Sequence, residues 1–526
     1  MEFNFIRPAS DQMYLMPPDP RDWLPLGHLA WRVRDAVDGM DLSGFLAAYR
    51  RDGQGAAAFH PAAMLAMLLY CYCKGIRSSR AIELASHDDV GVRVLLGNHH
   101  PDHATVARFV ERHRDQMRPL FVQVLVQCAR QGLVTVDVVA VDGTKVKANA
   151  SMSATVTAEQ LDLGIAELEA LLAAEIEEWF AQTQRDEATE AATDRARRGG
   201  GDDGAPAGNT AESSKSVKRA ANTLARRRAA RAKLAAEEQA RLQRAEADKR
   251  DDVDRKARRL ARTQKIYDDM VAGQQAKVDA YWRRGGYDGP QDAPVHGGGP
   301  MPAPPEQHAH VRAAAQRVQR AKQRHAEATK ATPTPAGKAP TVNITDPDSR
   351  IMLGKDKAFR QAHNLQITVN SKQIILSVAS HDNAADVAAL HPQLANARAN
   401  LDAAQIASPI GVVLADAGYA SAENFAFPCE ATLYVAVTND ARQTGRRKDP
   451  VPKNLKSWHD MQARLATEPG KTLYKRRGQI IEPVFGQLFQ RLGRALNYRT
   501  HTDVEFHLWA ASHNLLKLFR RQPQPA

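Results

Sequence analysis

The sequence predicts an α/β fold with a mixed sheet flanked by helices, and three observations support this prediction. Residues 1 to about 130 have the apolar spacing of short helices. From Gly132 the pattern changes to short β-branched runs at 133–141, 363–369 and 373–379. From Asp386 to the end, helical segments alternate with further short strands. Chains with this alternation form a sheet covered by helices.

The first 130 residues are predicted to form a helical domain. Pro61 opens an apolar helix that runs to Tyr70, and Ser78 precedes a second helix as a capping residue. A third helix begins near His103. Exposed arginines between short helices are typical of helix-turn-helix DNA-binding modules, but a helical domain with solvated arginines explains the same pattern. The arginines concerned are Arg77, Arg80, Arg108, Arg112 and Arg114.

The sheet is predicted to lie in two separate parts of the chain, 131–154 and 341–526. The runs 363–369 and 373–379 are joined by Asn370-Ser371-Lys372, which indicates a hairpin. A helix at 386–403, a strand before Asp416 and a strand at 432–437 follow, and helices run from Glu482 to the end. Because these strands mix hairpin and crossover connections, we expect parallel and antiparallel neighbours in one sheet.

The segment 155–340 between these two parts differs in composition and is predicted to be a long helical, partly flexible insertion. Leu161, Leu168 and Leu172 recur at helical intervals, so this stretch can bury an apolar seam against a partner helix in a coiled hairpin. The glycine-rich segments 199–208 and 285–305 indicate flexible breaks. A dimer contact, a DNA-backbone contact and a solvated spacer all remain possible roles for this arm.

Composition limits the class of protein. The 526 residues carry a formal charge of +12, which favours a polyanionic partner, although surplus cations can also be solvated helix surface. The four cysteines have no spacing typical of a disulfide framework or a zinc site. No apolar run reaches the roughly 20 residues of a membrane span, and the start lacks the pattern of a signal peptide. We therefore expect a reduced, cytoplasmic, nucleoid-associated protein with no membrane partner.

Three acidic residues are the candidate catalytic and metal-binding groups. Asp142 and Asp416 each follow a β-branched apolar run, and Glu482 lies in a later helical segment. Three such carboxylates converging would bind two Mg²⁺ (or Mn²⁺) ions and support phosphodiester chemistry, with Asp142 shared by both ions. Taken singly, Asp142-Gly143 also fits a simple turn, and Asp416 also fits a helix N-cap.

Basic residues near two of these acids are candidate DNA ligands. Lys145 and Lys147 alternate after Asp142, so they lie on one face of an extended segment. Tyr474, Arg476 and Arg477 precede Glu482 by one to two helical turns. Arg477 is suited to bind a phosphate in bidentate fashion, and Tyr474 to stack or hydrogen-bond near a strand end, whereas solvated surface is the alternative for the basic run.

Several of these motifs together resemble the DDE-type transposases of bacterial insertion sequences. The central ones are VDGTKVKANAS at 141–151, ADAGY at 415–419, and Arg477 with IEPVFGQ at 481–487. The resemblance covers most of the chain outside the insertion. It extends to the segments 75–80 (GIRSSR), 345–350 (TDPDSR) and 513–517 (HNLLK).

The resemblance implies an RNase H-like catalytic core in which Asp142, Asp416 and Glu482 are the two aspartates and the glutamate. Tyr474 and Arg477 match the family's signature around the last acid. This sequence departs from that signature at Phe489, where a lysine is expected, and Arg491 is the nearest basic substitute. His363 stands where an aromatic residue is usual.

The function expected from the resemblance is metal-dependent cleavage at transposon ends and strand transfer into target DNA, without a covalent enzyme intermediate. The partners would be terminal inverted repeats, target DNA and a second copy of the chain, because two element ends act together. Two alternatives stay open. One is an RNase H-like nuclease that only hydrolyses, and the other is a catalytically impaired DNA-binding derivative, which the Phe489 departure would favour.

Overall fold

The computed structural model describes residues 22–50, 57–197, 210–284, 301–354, 356–437, 456–500 and 502–521. It contains two compact units. One unit consists of Met1–Thr155 together with Asn343–Ala526, and the other is Val156–Val342. In chain order, the second unit is therefore inserted between the first strand and the rest of the sheet.

The N-terminal part of the first unit is helical in its described residues. Ser78 caps a helix as expected, since its side chain accepts a hydrogen bond from the Ala81 N–H. Arg77 is not exposed as the sequence suggested, because its side chain is only 14% accessible and pairs with the buried Glu505. The helices are α1 (Leu29–Asp38), α2 (Ser43–Leu46), α3 (Pro61–Lys74), α4 (Ser79–Asp88), α5 (Val90–Leu95), α6 (His103–Arg112) and α7 (Met117–Arg130).

The sheet of the first unit is mixed, as predicted. The strands within the described ranges are β1 (Val138–Lys147), β2 (Thr155–Val156), β3 (Val342–Asn343), β4 (Arg350–Leu353), β5 (Phe359–Asn370), β6 (Ile375–His381), β7 (Val412–Ala415) and β8 (Thr432–Val435). β5 is antiparallel to β1, β4 and β6, whereas β1, β7 and β8 are parallel neighbours. Across the sheet the order is β4-β5-β1-β7-β8, and β6 pairs with a part of β5 that β4 does not cover.

Strand β1 differs from its prediction at both ends. It begins at Val138 rather than Leu133, and it continues through Asp142 to Lys147. Asp142 and Gly143 pair with residues of β5, so the turn alternative at Asp142-Gly143 is wrong. Beyond Gly143 the side chains alternate between buried and exposed, which is the pattern of a strand with one face on the core.

The second unit is helical in its described residues and contains α8 (Ala158–Arg197), α9 (Thr210–Arg284) and α10 (Ala309–Lys330). Helix α9 has 75 residues and is therefore about 110 Å long. Leu161 is buried, and the ion pairs Arg228–Glu169 (2.7 Å) and Arg231–Asp162 (2.7 Å) join α9 to α8. The predicted flexible segment 199–208 and most of 285–305 lie outside the described residues.

The described residues of the first unit also contain five further α-helices. They are α11 (Leu390–Ala403), α12 (Ala422–Ala426), α13 (Lys456–Ala466), α14 (Glu468–Leu492) and α15 (Thr502–Arg521). Helix α14 begins well before Glu482, where Thr467 caps it by accepting a hydrogen bond from the Gly470 N–H. Tyr474, Arg477 and Glu482 consequently lie on a single helix.

One continuous hydrophobic core runs through the first unit. It joins side chains of the N-terminal helices, such as Leu68 and Val124, with those of the sheet, such as Ile367, and of α15, such as Trp509. The N-terminal helices thus do not bury their apolar faces separately from the sheet, and a domain boundary at residue 130 stays a prediction. Among the described residues, no helix combines the length and apolar character needed to cross a bilayer.

Candidate active site

Asp142 and Asp416 are brought together by the central pair of parallel strands. Val141 of β1 lies beside Ala415 of β7 in the ladder, so the next residue of each strand is an aspartate at the same level of the sheet. The Asp142 Oδ1 accepts a hydrogen bond from the Gly143 N–H (2.8 Å), and the Asp416 Oδ1 accepts one from the Gly418 N–H (2.8 Å). Asp416 therefore also caps a short helical turn, as its alternative interpretation expected.

Burial makes both carboxylates hard to ionise. It raises the pKa of Asp142 to about 6, an effect that the Arg477 cation opposes and the Asp416 charge reinforces. Burial likewise raises the pKa of Asp416, opposed by the Gly418 N–H and Arg477 and reinforced by Asp386. A bound cation would stabilise the ionised forms of these two neighbouring carboxylates, because its positive charge offsets their mutual repulsion.

Arg477 and Tyr474 reach this pair from α14. The Arg477 Nη1 donates to the Asp142 Oδ2 at 3.1 Å, with both side chains less than one-fifth exposed. Tyr474 precedes Arg477 by three residues on α14, and burial raises the Tyr474 pKa, an effect that the Arg477 charge opposes. The tyrosine and arginine of the sequence motif thus lie at the aspartates, with the guanidinium as the neutralising charge.

Glu482 is not brought to the aspartates in this structure. It follows Arg477 by five residues, which is about 140° around a helix, so Glu482 lies on the exposed flank when Arg477 faces the sheet. Its carboxylate lies along the helix near Gly478, where an added Cβ would be 3.2 Å from the Glu482 Oε1. Within the described ranges, no group of three or more His, Cys, Asp or Glu side chains is close enough to bind one metal ion.

A third carboxylate near the pair, Asp386, was missed from the sequence. It lies after β6, and its Oδ1 accepts hydrogen bonds from the Asn364 Nδ2 (2.8 Å) and the Gln366 Nε2 (2.7 Å) of β5. Tyr419 donates its hydroxyl to the Gln366 Oε1 and completes this buried network. Asn364 and Gln366 are polar residues at alternate positions of a buried strand, and that pattern was the available signal.

Two glycines of the sequence motifs make room for Asp386. A Cβ on Gly143 would lie 2.7 Å from the Asp386 Oδ1, and still closer to the Gln366 Nε2. A Cβ on Gly418 would lie 3.3 Å from the Asp386 Oδ2 and 3.0 Å from the Asp416 Oδ1. Gly143 directly follows Asp142, and Gly418 follows Asp416 by two residues. Both positions suit glycine because the Asp386 carboxylate packs against the backbone there.

Lys145 and Lys147 line a cleft that begins beside these carboxylates. Both side chains are exposed on the same face of β1. The cleft has a volume of about 460 Å³, and Gly143, Asp386, Arg360 and Arg494 are among its other lining residues. The cations of β1 therefore lie on the face of the strand against which Asp386 packs, along a cleft open to solvent.

The remaining predicted DNA ligands lie elsewhere. Arg491 is mostly buried, donates to the Ser512 Oγ at 3.3 Å, and lines a separate cavity of about 220 Å³ with His513 and Lys517. None of its described contacts reaches Asp142 or Asp416. Arg476 is half-buried on α14. Phe489, at the position of the expected lysine, has the guanidinium of Arg494 over its ring.

An RNase H-like sheet with two aspartates at neighbouring parallel strands, and an arginine supplied by a late helix, defines the class of the protein. Residues 332–516 match the family described as Transposase DDE domain, and residues 18–112 match the family described as Transposase domain (DUF772). Together the two matches cover more than half of the chain, which therefore belongs to the DDE-type transposases of insertion sequences. No curated protein and no solved structure matches it.

Proposed function

We propose that this chain cleaves DNA at the ends of its element and joins the freed strand to target DNA, with Asp142, Asp416 and Glu482 as the catalytic acids. The observation that carries the proposal is the pair Asp142 and Asp416 at matched positions of parallel strands, with Arg477 bound to one of them. DNA binding and enzyme activity follow from family membership. The steps of cleavage and strand transfer are the proposal.

The donor set fits a divalent cation. Asp142 and Asp416 offer carboxylate oxygens, which Mg²⁺ and Mn²⁺ prefer, and burial disfavours their ionised forms unless a positive charge is near. Bound there, two such ions would activate the attacking water or 3′-hydroxyl and stabilise the leaving oxygen. This is consistent with the general use of divalent metals by DDE transposases.

The other residues of the site position its side chains and neutralise charge. Arg477 holds Asp142 until DNA enters, and its guanidinium then has the fork geometry to bind a phosphate in place of the carboxylate. Tyr474, one helical turn before Arg477 on α14, packs the site beside this guanidinium. Asp386 fixes Gln366 and, through it, Tyr419, so that the backbone after Asp416 is rigid. No covalent step on the chain is required.

Glu482 needs to move to join the site, because its side chain lies on the flank of α14. Asp386 is the other candidate for the third carboxylate, since its Oδ2 faces Gly418 beside Asp416. Glu482→Gln and Asp386→Asn separate the two. We expect Glu482→Gln to abolish cleavage while DNA binding is retained, and Asp386→Asn to lower the cleavage rate without abolishing it.

The main test is Asp142→Asn assayed on DNA that carries the element ends. Binding should survive and Mg²⁺-dependent cleavage should vanish. Asp137→Asn is the matched control, because Asp137 is an exposed aspartate just before the same strand. Metal-dependent cleavage by Asp142→Asn at the control rate would remove Asp142 from the catalytic site.

A second candidate is a DNA-binding derivative that has lost its chemistry. The exposed position of Glu482 and the phenylalanine at position 489 favour it. The wild-type chain would then bind DNA in a salt-sensitive way but never cut it with Mg²⁺ or Mn²⁺. A chain that cuts but cannot join pre-cleaved ends to target DNA would instead be a nuclease that only hydrolyses.

The organisation that we propose is a DNA-binding helical domain at 1–130, a catalytic core formed by 131–154 with 341–526, and an arm at 155–340. Since two element ends must react together, we propose at least a homodimer as the active form. Size measurement with and without DNA tests this. A chain that remains monomeric on DNA while it joins both ends would contradict it.

A further inference from the structure

The cleft beside the candidate site is basic, and we refer to its cations Lys145, Lys147, Arg360 and Arg494 as the basic cleft. It starts at Gly143 and Asp386 and extends along the exposed face of β1. The Arg360 charge is paired with Asp356, another lining residue. Among the described residues, no acidic side chain forms an ion pair with Arg494, whereas cation–π geometry places its guanidinium over an aromatic ring.

Arg494 is held by an aromatic platform. Its guanidinium lies 4.5 Å from the centroid of the Phe489 ring, which is cation–π geometry. Phe489 in turn stacks on Phe485, with ring centroids 5.8 Å apart and planes 10° from parallel. The phenylalanine at the position of the expected lysine therefore supports a cation that comes from five residues further along the chain.

The backbone of Arg494 is fixed to the end of β1. The Lys147 N–H donates to the Arg494 carbonyl (2.9 Å), and the Leu496 N–H donates to the Lys147 carbonyl (2.8 Å). Arg77 donates to the next carbonyl, that of Ala495, at 2.8 Å. This segment is thus an extension of the sheet, and Arg494 is placed by the same strand that carries Asp142.

Glu505 also holds the segment that follows Arg494. Its fully buried carboxylate accepts hydrogen bonds from the Asn497 N–H (2.8 Å) and the Tyr498 N–H (3.1 Å), and it pairs with Arg77 at 2.8 Å. A buried ion pair whose remaining oxygen atoms are also bonded is a rigid support. The backbone around Arg494 is therefore held by contacts within the protein.

We propose that the basic cleft binds the phosphodiester backbone of the DNA strand that enters the carboxylate site, and that Arg494, stacked on Phe489, supplies its key charge. Lys147 follows Gly143, over which Asp386 packs, by four strand residues on the same face of β1, or about 14 Å. That distance corresponds to about four nucleotides of one DNA strand. The inference rests on the proposed function for the direction of the strand, but binding in the cleft is testable without any chemistry.

Arg494→Gln is the first test, with Arg499→Gln as the matched control. Both residues are exposed, lie in the same segment and lose one charge on substitution, but only Arg494 lines the cleft. The probe is a fluorescently labelled DNA duplex, and anisotropy gives its affinity over a range of NaCl concentrations.

If Arg494 neutralises one phosphate, Arg494→Gln should lower the slope of log affinity against log salt by about 0.9. The difference in DNA affinity between Arg494→Gln and the wild-type chain would accordingly become about threefold smaller as the salt concentration rises from about 50 to about 200 mM. If Arg494→Gln has the slope and affinity of Arg499→Gln, the cleft assignment is wrong.

The platform is tested through Phe489. Phe489→Leu keeps an apolar side chain but removes the ring under Arg494, and we expect affinity to fall about two- to fivefold. Phe489→Lys added to Arg494→Gln should restore the slope, because the new ammonium group would lie close to the position of the replaced guanidinium. If Phe489→Leu has unchanged DNA affinity and the double variant does not recover the salt slope, the proposed role of the Phe489 ring is wrong.

These outcomes are separate from those of the proposed function. A wild-type chain that shows the expected binding differences but never cleaves DNA with Mg²⁺ refutes the catalytic proposal and leaves the cleft intact. If the wild-type chain cleaves DNA but Arg494→Gln binds DNA like its control Arg499→Gln, only the assignment of the basic cleft as a DNA-binding surface is refuted.

Discussion

Asp142→Asn should stabilise the folded chain near neutral pH even though it removes a proposed catalytic group. Burial, opposed by Arg477 and reinforced by Asp416, raises the Asp142 pKa from 3.8 to about 6. The folded state thus binds the proton more tightly than the unfolded chain does. The contribution of this group to stability is highest at low pH, falls as the pH rises from about 3.8 to about 6, and is then constant. Wild type therefore loses about 3 kcal/mol of unfolding free energy when Asp142 ionises. Asparagine cannot ionise, so the Asp142→Asn chain should not show this decrease.

The assay is urea unfolding of wild type, Asp142→Asn and the exposed control Asp137→Asn at pH about 4 and about 8. At the higher pH the Asp142→Asn midpoint should exceed that of both other proteins, and at the lower pH the three should converge. Mg²⁺ should raise the midpoint of wild type more than that of Asp142→Asn, because a ligand stabilises only the state that binds it. An Asp142→Asn chain that is less stable than wild type at the higher pH would refute the reasoning.

Three further predictions concern the scaffold and the arm. Gly143→Ala should cost about 1–3 kcal/mol of unfolding free energy, because its Cβ would lie 2.7 Å from the Asp386 Oδ1. The helical control Gly486→Ala has nothing within 4 Å and should be neutral or stabilising in the same urea experiment. His363→Phe, which restores the usual aromatic residue, should cost about 3 kcal/mol, because it leaves the fully buried Asp346 without its 2.8 Å partner. A melting temperature equal to that of wild type would contradict this. If the arm binds DNA, neutralising three exposed arginines of α10 should lower the salt dependence of DNA binding by about 0.9 for each phosphate that is no longer bound. The α10 variant is the triple change to glutamine of Arg317, Arg320 and Arg324. Its charge-matched control changes the ion-paired residues Arg228, Arg231 and Arg255. Equal salt slopes for the two triple variants would favour a spacer or dimer role for the arm.

The two aspartates were recognisable from the sequence because their signal is local. Each follows a short β-branched run, and both runs became adjacent parallel strands. The contact between Arg477 and Asp142 joins residues 335 positions apart, so only the fold could show it. Arg77 was expected to be exposed for the same reason, since its partner Glu505 lies 428 residues away. Long-range pairing of charges leaves no periodic trace.

Element boundaries were predicted less well, for physical reasons. Strand β1 continues past Asp142 because β5 supplies ladder partners as far as Lys147, which no property of the run itself reveals. The start of α14 was signalled by Thr467 and by the proline in its first turn, but the prediction began at Glu482. Asp386 was overlooked because its partners Asn364 and Gln366 lie within a run that was assigned to strand by its β-branched residues.

The shared hydrophobic core has a consequence for how this transposase can be divided or recombined. A fragment starting after residue 130 would uncover the apolar surface of α15 that packs against α3 and α7. Neither half would then be a folding unit of its own. Exchanging the N-terminal helices between relatives would therefore demand matching changes in the last helix, and we expect these two parts of the polypeptide to be inherited together.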